Sequence, residues 1–278
     1  MAWKTDPGLQ RPENEDSVLV WEGRAGVDAM LVVCDGMGGH AAGREASTIA
    51  IETLAAYLED DGERGANRER LLKAFEACNQ AVLHSARTVP EWAGMGSTLT
   101  AVLIDGDRLA LINVGDSPGY LIREGDTFPI AQDHSWPAEQ YRAGLLEASE
   151  VRDHPYKHRL TRAVGVWEDV LPYTAEIDLE DGDIVVLASD GVETAGVEIP
   201  TVQELMTGDD LDRGVDELIE LCRARGGPDN ITVAVARYAR AQEAVSSAAP
   251  APEPAESALE RVSRRRRSKR PRSAPQDA

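Results

Sequence analysis

The sequence predicts an α+β fold of layered antiparallel sheets with helices on the outside. Short runs rich in Val, Ile and Leu, each bounded by turn residues, recur along the chain. Two long amphipathic patterns follow one another directly rather than separating strands. Helices therefore do not alternate with strands one by one, as a doubly wound parallel sheet would require.

The first strands are read at 17–21 (SVLVW) and 29–34 (AMLVVC). Helical spacing then sets in. Ala46, Ile49, Ala50, Leu54, Tyr57 and Leu58 share one face over 41–58, and Leu71, Leu72, Phe75, Cys78, Val82 and Leu83 do so over 68–86. Strands resume at 98–104 (TLTAVLI), 108–114 (RLALINV) and 119–123. Residues 136–159 (WPAEQYRAGLLEASEVRDHPYKHR) are polar and charged, and predict a short helical excursion of the kind that borders a site. A strand at 184–188 (IVVLA), a helix over 210–225 burying Leu211, Val215, Leu218, Leu221 and Cys222, and a last strand at 231–236 (ITVAVA) complete the body.

The chain has 278 residues, with 49 Asp and Glu against 29 Lys and Arg, a formal charge of −20. Residues 240–278 hold 9 basic and 5 acidic side chains, so the first 239 carry −24. A body this acidic repels nucleic acid and acidic membranes and excludes a whole-fold DNA binder. Hydrophobic residues make up 42%, enough for a core, and only 13 are Phe, Trp or Tyr, so that core is aliphatic. From residue 240 the chain turns to Ala, Pro, Glu and Ser and then to RRRRSKRPR, which predicts a disordered tail whose arginines suit an anionic partner. No signal-peptide profile or membrane-length apolar run is present, and Cys34, Cys78 and Cys222 lack metal or redox spacing. These features predict a soluble cytoplasmic protein with three buried thiols.

Aspartate recurs at strand ends. Asp35-Gly36 follows MLVVC, Asp116 follows LINVG, Asp190-Gly191 follows IVVLAS, and Asp229-Asn230 precedes ITVAVA. Asp-Gly is also the strongest short hairpin signal, and Asp105-Gly106 and Asp181-Gly182 are read as plain turns. Asp35 differs because it opens DGMGGH, with more glycine than a two-residue turn needs. Strand-end carboxylates brought together repel unless cations neutralise them, and oxygen donors suit Mg²⁺ or Mn²⁺. Paired cations of this kind activate water and polarise phosphoryl groups, so phosphate-ester hydrolysis is the matching chemistry.

RPENEDS (11–17), CDGMGGHAAG (34–43), GSTLTAVLI (96–104), INVGDSPGYLI (112–122), QDHS (132–135), LTRAVG (160–165), GDIVVLASDGV (182–192) and GGPDNITVAV (226–235) stand in the order and spacing of metal-dependent PPM-type (type 2C) serine/threonine phosphatases. The chain resembles the bacterial members most, from about Thr5 to Arg237. The resemblance implies a four-layer αββα sandwich of two antiparallel sheets flanked by helix pairs, within a phosphatase domain over 1–239 whose flap is about 136–159. It implies that Asp35 bridges two metals, Mn²⁺ or Mg²⁺, with the Gly36 carbonyl on one and Asp190 and Asp229 on the other. Asp16 matches a carboxylate that helps hold the cluster, and Asp116 a ligand of a weaker third metal. Arg11 matches the arginine that grips the substrate phosphate, its planar fork donating two bonds.

Two departures stand out. Members reading DGHGG carry a candidate acid where this chain has Met37, which cannot donate a proton, so His40 is the expected substitute. The family usually reads GDSR where this chain has Gly115-Asp116-Ser117-Pro118, so an arginine gives way to a proline. The expected activity is hydrolysis of phosphoserine and phosphothreonine in proteins by a two-metal-activated water. A monomer reversing a cognate Ser/Thr kinase is expected, with no nucleic-acid partner for the body. A non-catalytic phosphoprotein or metal sensor of the same fold, and a two-metal phosphodiesterase, are the alternatives.

Overall fold

The computed structural model describes residues 1–38, 42–60, 62 and 64–240, of which Met1–Arg240 form one compact unit. The sequence-predicted tail and His40 lie outside the described residues.

Two antiparallel sheets make the centre. The first has the order β1 (Ala2–Asp6), β11 (Ile231–Arg237), β10 (Ile184–Ala188), β7 (Gly119–Arg123) and β8 (Asp126–Pro129). The second runs β2 (Asp16–Glu22), β3 (Ala29–Met37), β5 (Leu99–Asp105), β6 (Arg108–Val114) and β9 (Tyr173–Asp178), with the two-residue β4 (Gly96–Ser97) on the end of β3. Alternation places one face of each sheet inward, where Leu31, Val33, Val102, Leu111, Val185 and Ala234 meet in a shared aliphatic core. The outward faces are also apolar, because helices cover them. Val32 and Cys34 of β3 pack under α1 (Ala42–Asp60) and α2 (Arg68–Thr88). Val186 and Val233 pack under α6 (Ile199–Met206) and α7 (Leu211–Ala224). The result is the expected αββα sandwich.

Asn67 caps α2 by accepting from the Arg70 N–H at 2.8 Å, and Asp210 caps α7 by accepting from Arg213 at 3.1 Å. Cys34, Cys78 and Cys222 are free and buried, as expected. Residues 136–159 do form a helical excursion, with α3 (Trp136–Arg142) and α4 (Ala148–Val151). Its neck closes through a bridge between Ser135 and Leu160 and a Trp136 N–H bond to the Arg159 carbonyl at 2.7 Å. Trp136, His154 and Tyr156 stack within it, with ring centroids 5.2–5.8 Å apart.

Several further elements were not expected from the sequence, among them the strands β1, β8 and β9 and the helix α6. β1 and β8 are edge strands with only Ala2 buried between them, and edge strands need no apolar run, so periodicity does not announce them. β9 is also an edge but half-buried: Tyr173, Ala175 and Ile177 alternate along it and pack against the inner core, a period-two pattern not recognised in the sequence.

Candidate active site

Every expected aspartate sits at the same end of the sandwich, where strands of both sheets stop. Asp16 opens β2 and Asp35 lies near the end of β3, and the antiparallel register sets them directly opposite one another. Asp116 follows β6, Asp190 follows β10 and begins the short helix α5 (Gly191–Thr194), and Asp229 precedes β11. Asp35, Asp116, Asp190 and Asp229 line one cleft together with Arg11, Glu15 and Gly36, and Asp16 lies buried behind it.

Neutral hydrogen-bonding side chains fix the segments that carry these carboxylates, and in one case a carboxylate itself. The Thr98 hydroxyl accepts from the Asp35 N–H at 2.8 Å and lies 2.7 Å from the Ser117 hydroxyl, tying Asp35 to the loop that carries Asp116. The Thr232 hydroxyl donates to Asp16 Oδ2 at 2.7 Å. Asn230 accepts from the Glu15 N–H at 2.8 Å and donates to the Pro7 and Glu13 carbonyls at 3.0 and 2.9 Å, clamping the N-terminal loop that carries Arg11. None of the three was singled out from the sequence, although they stand in the GSTLT and DNIT segments beside the charged positions.

The glycines that follow Asp35 and Asp190 have a packing reason. A Cβ on Gly36 would stand 2.0 Å from the Gly43 carbonyl oxygen, and one on Gly191 would stand 1.8 Å from that of Asn230. Neither needs a left-handed backbone. Gly106 and Gly182, in the two pairs read as plain turns, have φ of +57° and +90° with open space around them. Turn Asp-Gly pairs and site Asp-Gly pairs are thus physically distinct in this chain.

Electrostatics set the character of the cleft. Burial, then Thr232 and Ser189 opposing it, then Asp190 and Asp229, push the Asp16 carboxyl up to about 7. Burial and the neighbouring aspartates hold Asp35 and Asp116 well above the ordinary carboxylate range. Asp16 Oδ1 is buried with no hydrogen-bond partner, and a carboxylate faces it across the strand pair. Like charges directly opposite on paired strands destabilise, and an orphaned buried oxygen does too. A hard cation satisfies both, so the donor set fits Mg²⁺ or Mn²⁺. Among the described residues, no three His, Cys, Asp or Glu side chains are already gathered as a closed ligand cage. Two of the aspartates have basic side chains as neighbours instead.

Arg11 lines the cleft, donates to Asp229 Oδ2 at 2.7 Å and has a half-exposed side chain. His158 stands 3.8 Å from Asp190 Oδ2, and that carboxylate raises the imidazole above its ordinary value. Nothing in the sequence singles out His158 within the polar excursion, because its place beside Asp190 depends on the closed neck at Ser135 and Leu160. His134 is buried, accepts from the Gly115 N–H through Nδ1 at 3.1 Å, and is lowered to about 3, by burial first and then by Arg162 and Arg142. It holds the loop before Asp116 and does not face the cleft.

The model of the family described as protein phosphatase 2C matches residues 11–236. The serine/threonine protein phosphatase PstP of Mycobacterium tuberculosis is 38% identical over 235 residues, which is 84% of this chain and 44% of that protein, so the match spans under half of the relative's length. The serine/threonine phosphatase stp of Listeria monocytogenes is 32% identical over 234 residues, covering 83% of this chain and 92% of that one. The crystal structure of the PstP catalytic domain in complex with two manganese ions superimposes with a TM-score of 0.75 at 36% identity, covering 86% and 97% of the two chains. The sandwich, the carboxylates at one end of it and these matches agree, and the chain belongs to the protein phosphatase 2C family.

Proposed function

We propose that this chain hydrolyses phosphoserine and phosphothreonine esters in proteins with the help of two divalent cations. The observation that carries the reading is the pair Asp16 and Asp35, face to face at the sandwich end with Asp16 Oδ1 left without a partner, among three further aspartates. Such a cluster is costly in a protein that has no use for a cation.

Asp35, the Gly36 carbonyl, Asp190 and Asp229 would hold the two ions, with Asp16 supporting them and Asp116 available to a weaker third. The donors are all oxygen, which suits Mn²⁺ or Mg²⁺ better than zinc. The two manganese ions of the related mycobacterial domain support the count. Bound there, the cations lower the pKa of water and polarise a phosphoryl oxygen.

The chain's own residues supply the rest. The Arg11 guanidinium, now on Asp229, is exposed enough to turn toward a phosphate and donate two parallel N–H bonds to it. Asn230 keeps its loop at the right height by bonding three backbone groups of residues 7–15. Thr98 and Thr232 hold Asp35 and Asp16 against their mutual repulsion. His40 remains the expected proton donor for the departing seryl or threonyl oxygen.

Related proteins named as serine/threonine phosphatases support phosphoproteins as the substrate class; a cognate kinase or its targets as partners, and a monomeric state, are part of the proposal. Among the described residues no helix is long and apolar enough to cross a membrane. Three unpaired buried thiols support a reducing cytoplasm. The test is hydrolysis of an aryl phosphate and a phosphothreonine peptide with Mn²⁺, wild type against Asp190→Asn. A loss of about a hundredfold or more is expected, since even outer-shell changes at metal sites cost 10–100-fold. Equal activity in the two proteins would sink the assignment.

A further inference from the structure

Beside the cleft lies a second pocket of different chemistry. It encloses about 510 Å³, within the roughly 300–1,000 Å³ of ligand sites. Its floor is apolar: Val186 and Ala188 of β10, Val202 of α6 and Leu218 of α7, all buried. On one side stand Val192, Val197 and the exposed Ile199, and on the other Ala148 and Val151 of the excursion. Arg152 and Glu198 face one another at 3.5 Å from the two sides, both exposed. Carboxylates of the proposed metal site do not line it.

This pocket is continuous with the catalytic cleft. Pro118, Tyr120, Val151, Arg152 and Glu193 line both it and the adjoining polar space of about 380 Å³ that contains Asp116, Asp190 and His158. The junction is short. Pro118 is two residues after Asp116 and Val192 two after Asp190, each at most ~7 Å of chain. Pro118 stands where the family usually has arginine. Its ring brings no charge that an apolar group would have to desolvate, so with Val151 it gives the junction an apolar side, alongside the charged Arg152 and Glu193.

We propose that this pocket receives an apolar side chain of the phosphoprotein substrate, two to four residues from the phosphorylated Ser or Thr. The proposal rests on the phosphatase reading above and names what that site selects. An extended substrate with its phosphate at the aspartates covers ~7–13 Å in two to four residues, at ~3.3 Å each. That reach spans the junction between Pro118 and α5. One alternation of the strand then turns a side chain down toward Val186 and Leu218. The flap side chains Ala148 and Val151 close over it, so the excursion acts as one wall of a specificity pocket.

The test uses the full chain with Mn²⁺ and a phosphothreonine peptide in an alanine background, with one leucine scanned from four residues before to four after the phosphothreonine. An aryl phosphate is assayed alongside. Leucine at one position two to four residues away is expected to raise kcat/KM about tenfold or more, as burial of a Leu side chain implies. In Ile199→Asp and, independently, Val151→Asp, the leucine-to-alanine ratio is expected to fall to about one, the two variants guarding against misfolding of either. Hydrolysis of all peptides with no leucine preference overturns the subsite while leaving the phosphatase reading intact. Failure to hydrolyse aryl phosphate or any peptide overturns the reading beneath it. A preference that emerges only when residues 241–278 are removed gives the pocket to the chain's own C-terminal segment and overturns the substrate assignment.

Discussion

Asp35 sits opposite Asp16 on paired strands, and burial together with the surrounding aspartates raises its carboxyl well above the ordinary range. A raised pKa means that the charged form is penalised in the folded state, so above that range the ionised Asp35 subtracts from stability until a cation offsets it. Asp35→Asn removes the penalty and the ligand at once. In the absence of divalent ions the variant is expected to melt a few degrees higher than wild type, about 1 kcal/mol of relief. With Mn²⁺ present, wild type gains stability by mass action and the variant gains none. Thermal melts with and without Mn²⁺ check both halves, and a variant that melts lower in both conditions contradicts the repulsion argument. The glycines give a second contrast at this scale. Gly36→Ala drives a Cβ to 2.0 Å from a backbone oxygen, which is expected to cost about 3 kcal/mol or more. Gly106→Ala meets open space and only the left-handed backbone cost of about 1–2 kcal/mol. Urea unfolding distinguishes them, and equal losses would deny the packing explanation.

At the scale of elements, the core strands and long helices were legible because each has one buried face with a clear period. Asp35, Asp116 and Asp190 were legible because each follows an apolar run and Asp229 because it precedes one, whereas Asp16 entered through the resemblance alone. What escaped was whatever depends on two distant segments meeting. Asn230 looks like a turn residue until its bonds to Pro7, Glu13 and Glu15 are seen, and His158 looks like one polar residue among many until the neck at Ser135 and Leu160 closes. His134 belongs to the same class. Its Nδ1 holds the Gly115 N–H, its Nε2 lies 3.2 Å from Arg162, and Arg162 reaches Glu139 of α3 at 3.3 Å, so one ring joins the Asp116 loop to the excursion. The ring stays neutral in the folded state down to about pH 3, whereas in the unfolded chain it protonates near 6.5. Its contribution is therefore complete above pH 6.5 and lost as pH falls. Relative to His134→Gln, which does not titrate, wild type is expected to lose about 1.4 kcal/mol between pH 7.5 and pH 5.5. Urea unfolding of both proteins at the two pH values measures this, and a difference independent of pH removes the buried neutral histidine.

For the whole molecule, the −24 on the first 239 residues acts in two ways that salt separates. Close to the aspartates the charge is short-range and buried, and the proposed cations would offset it, so screening changes it little. Over the rest of the surface it is long-range and falls off over ~8–10 Å at physiological ionic strength. Substrates carry their own charge into that outer field. A phosphopeptide flanked by lysines is drawn toward the body and one flanked by glutamates is held off, while both present the same phosphate to the cleft. Raising NaCl from 20 to 200 mM at fixed Mn²⁺ is therefore expected to lower kcat/KM for the basic peptide several-fold and raise it for the acidic one, with kcat nearly unchanged in both. The same field disfavours polyanions, so a phosphodiester in DNA should be cleaved far more slowly than the phosphothreonine peptide at either salt concentration. Parallel salt dependence for the two peptides would show that the surface charge does not steer. Substrate choice would then rest on short-range contacts such as the pocket between α5 and the excursion.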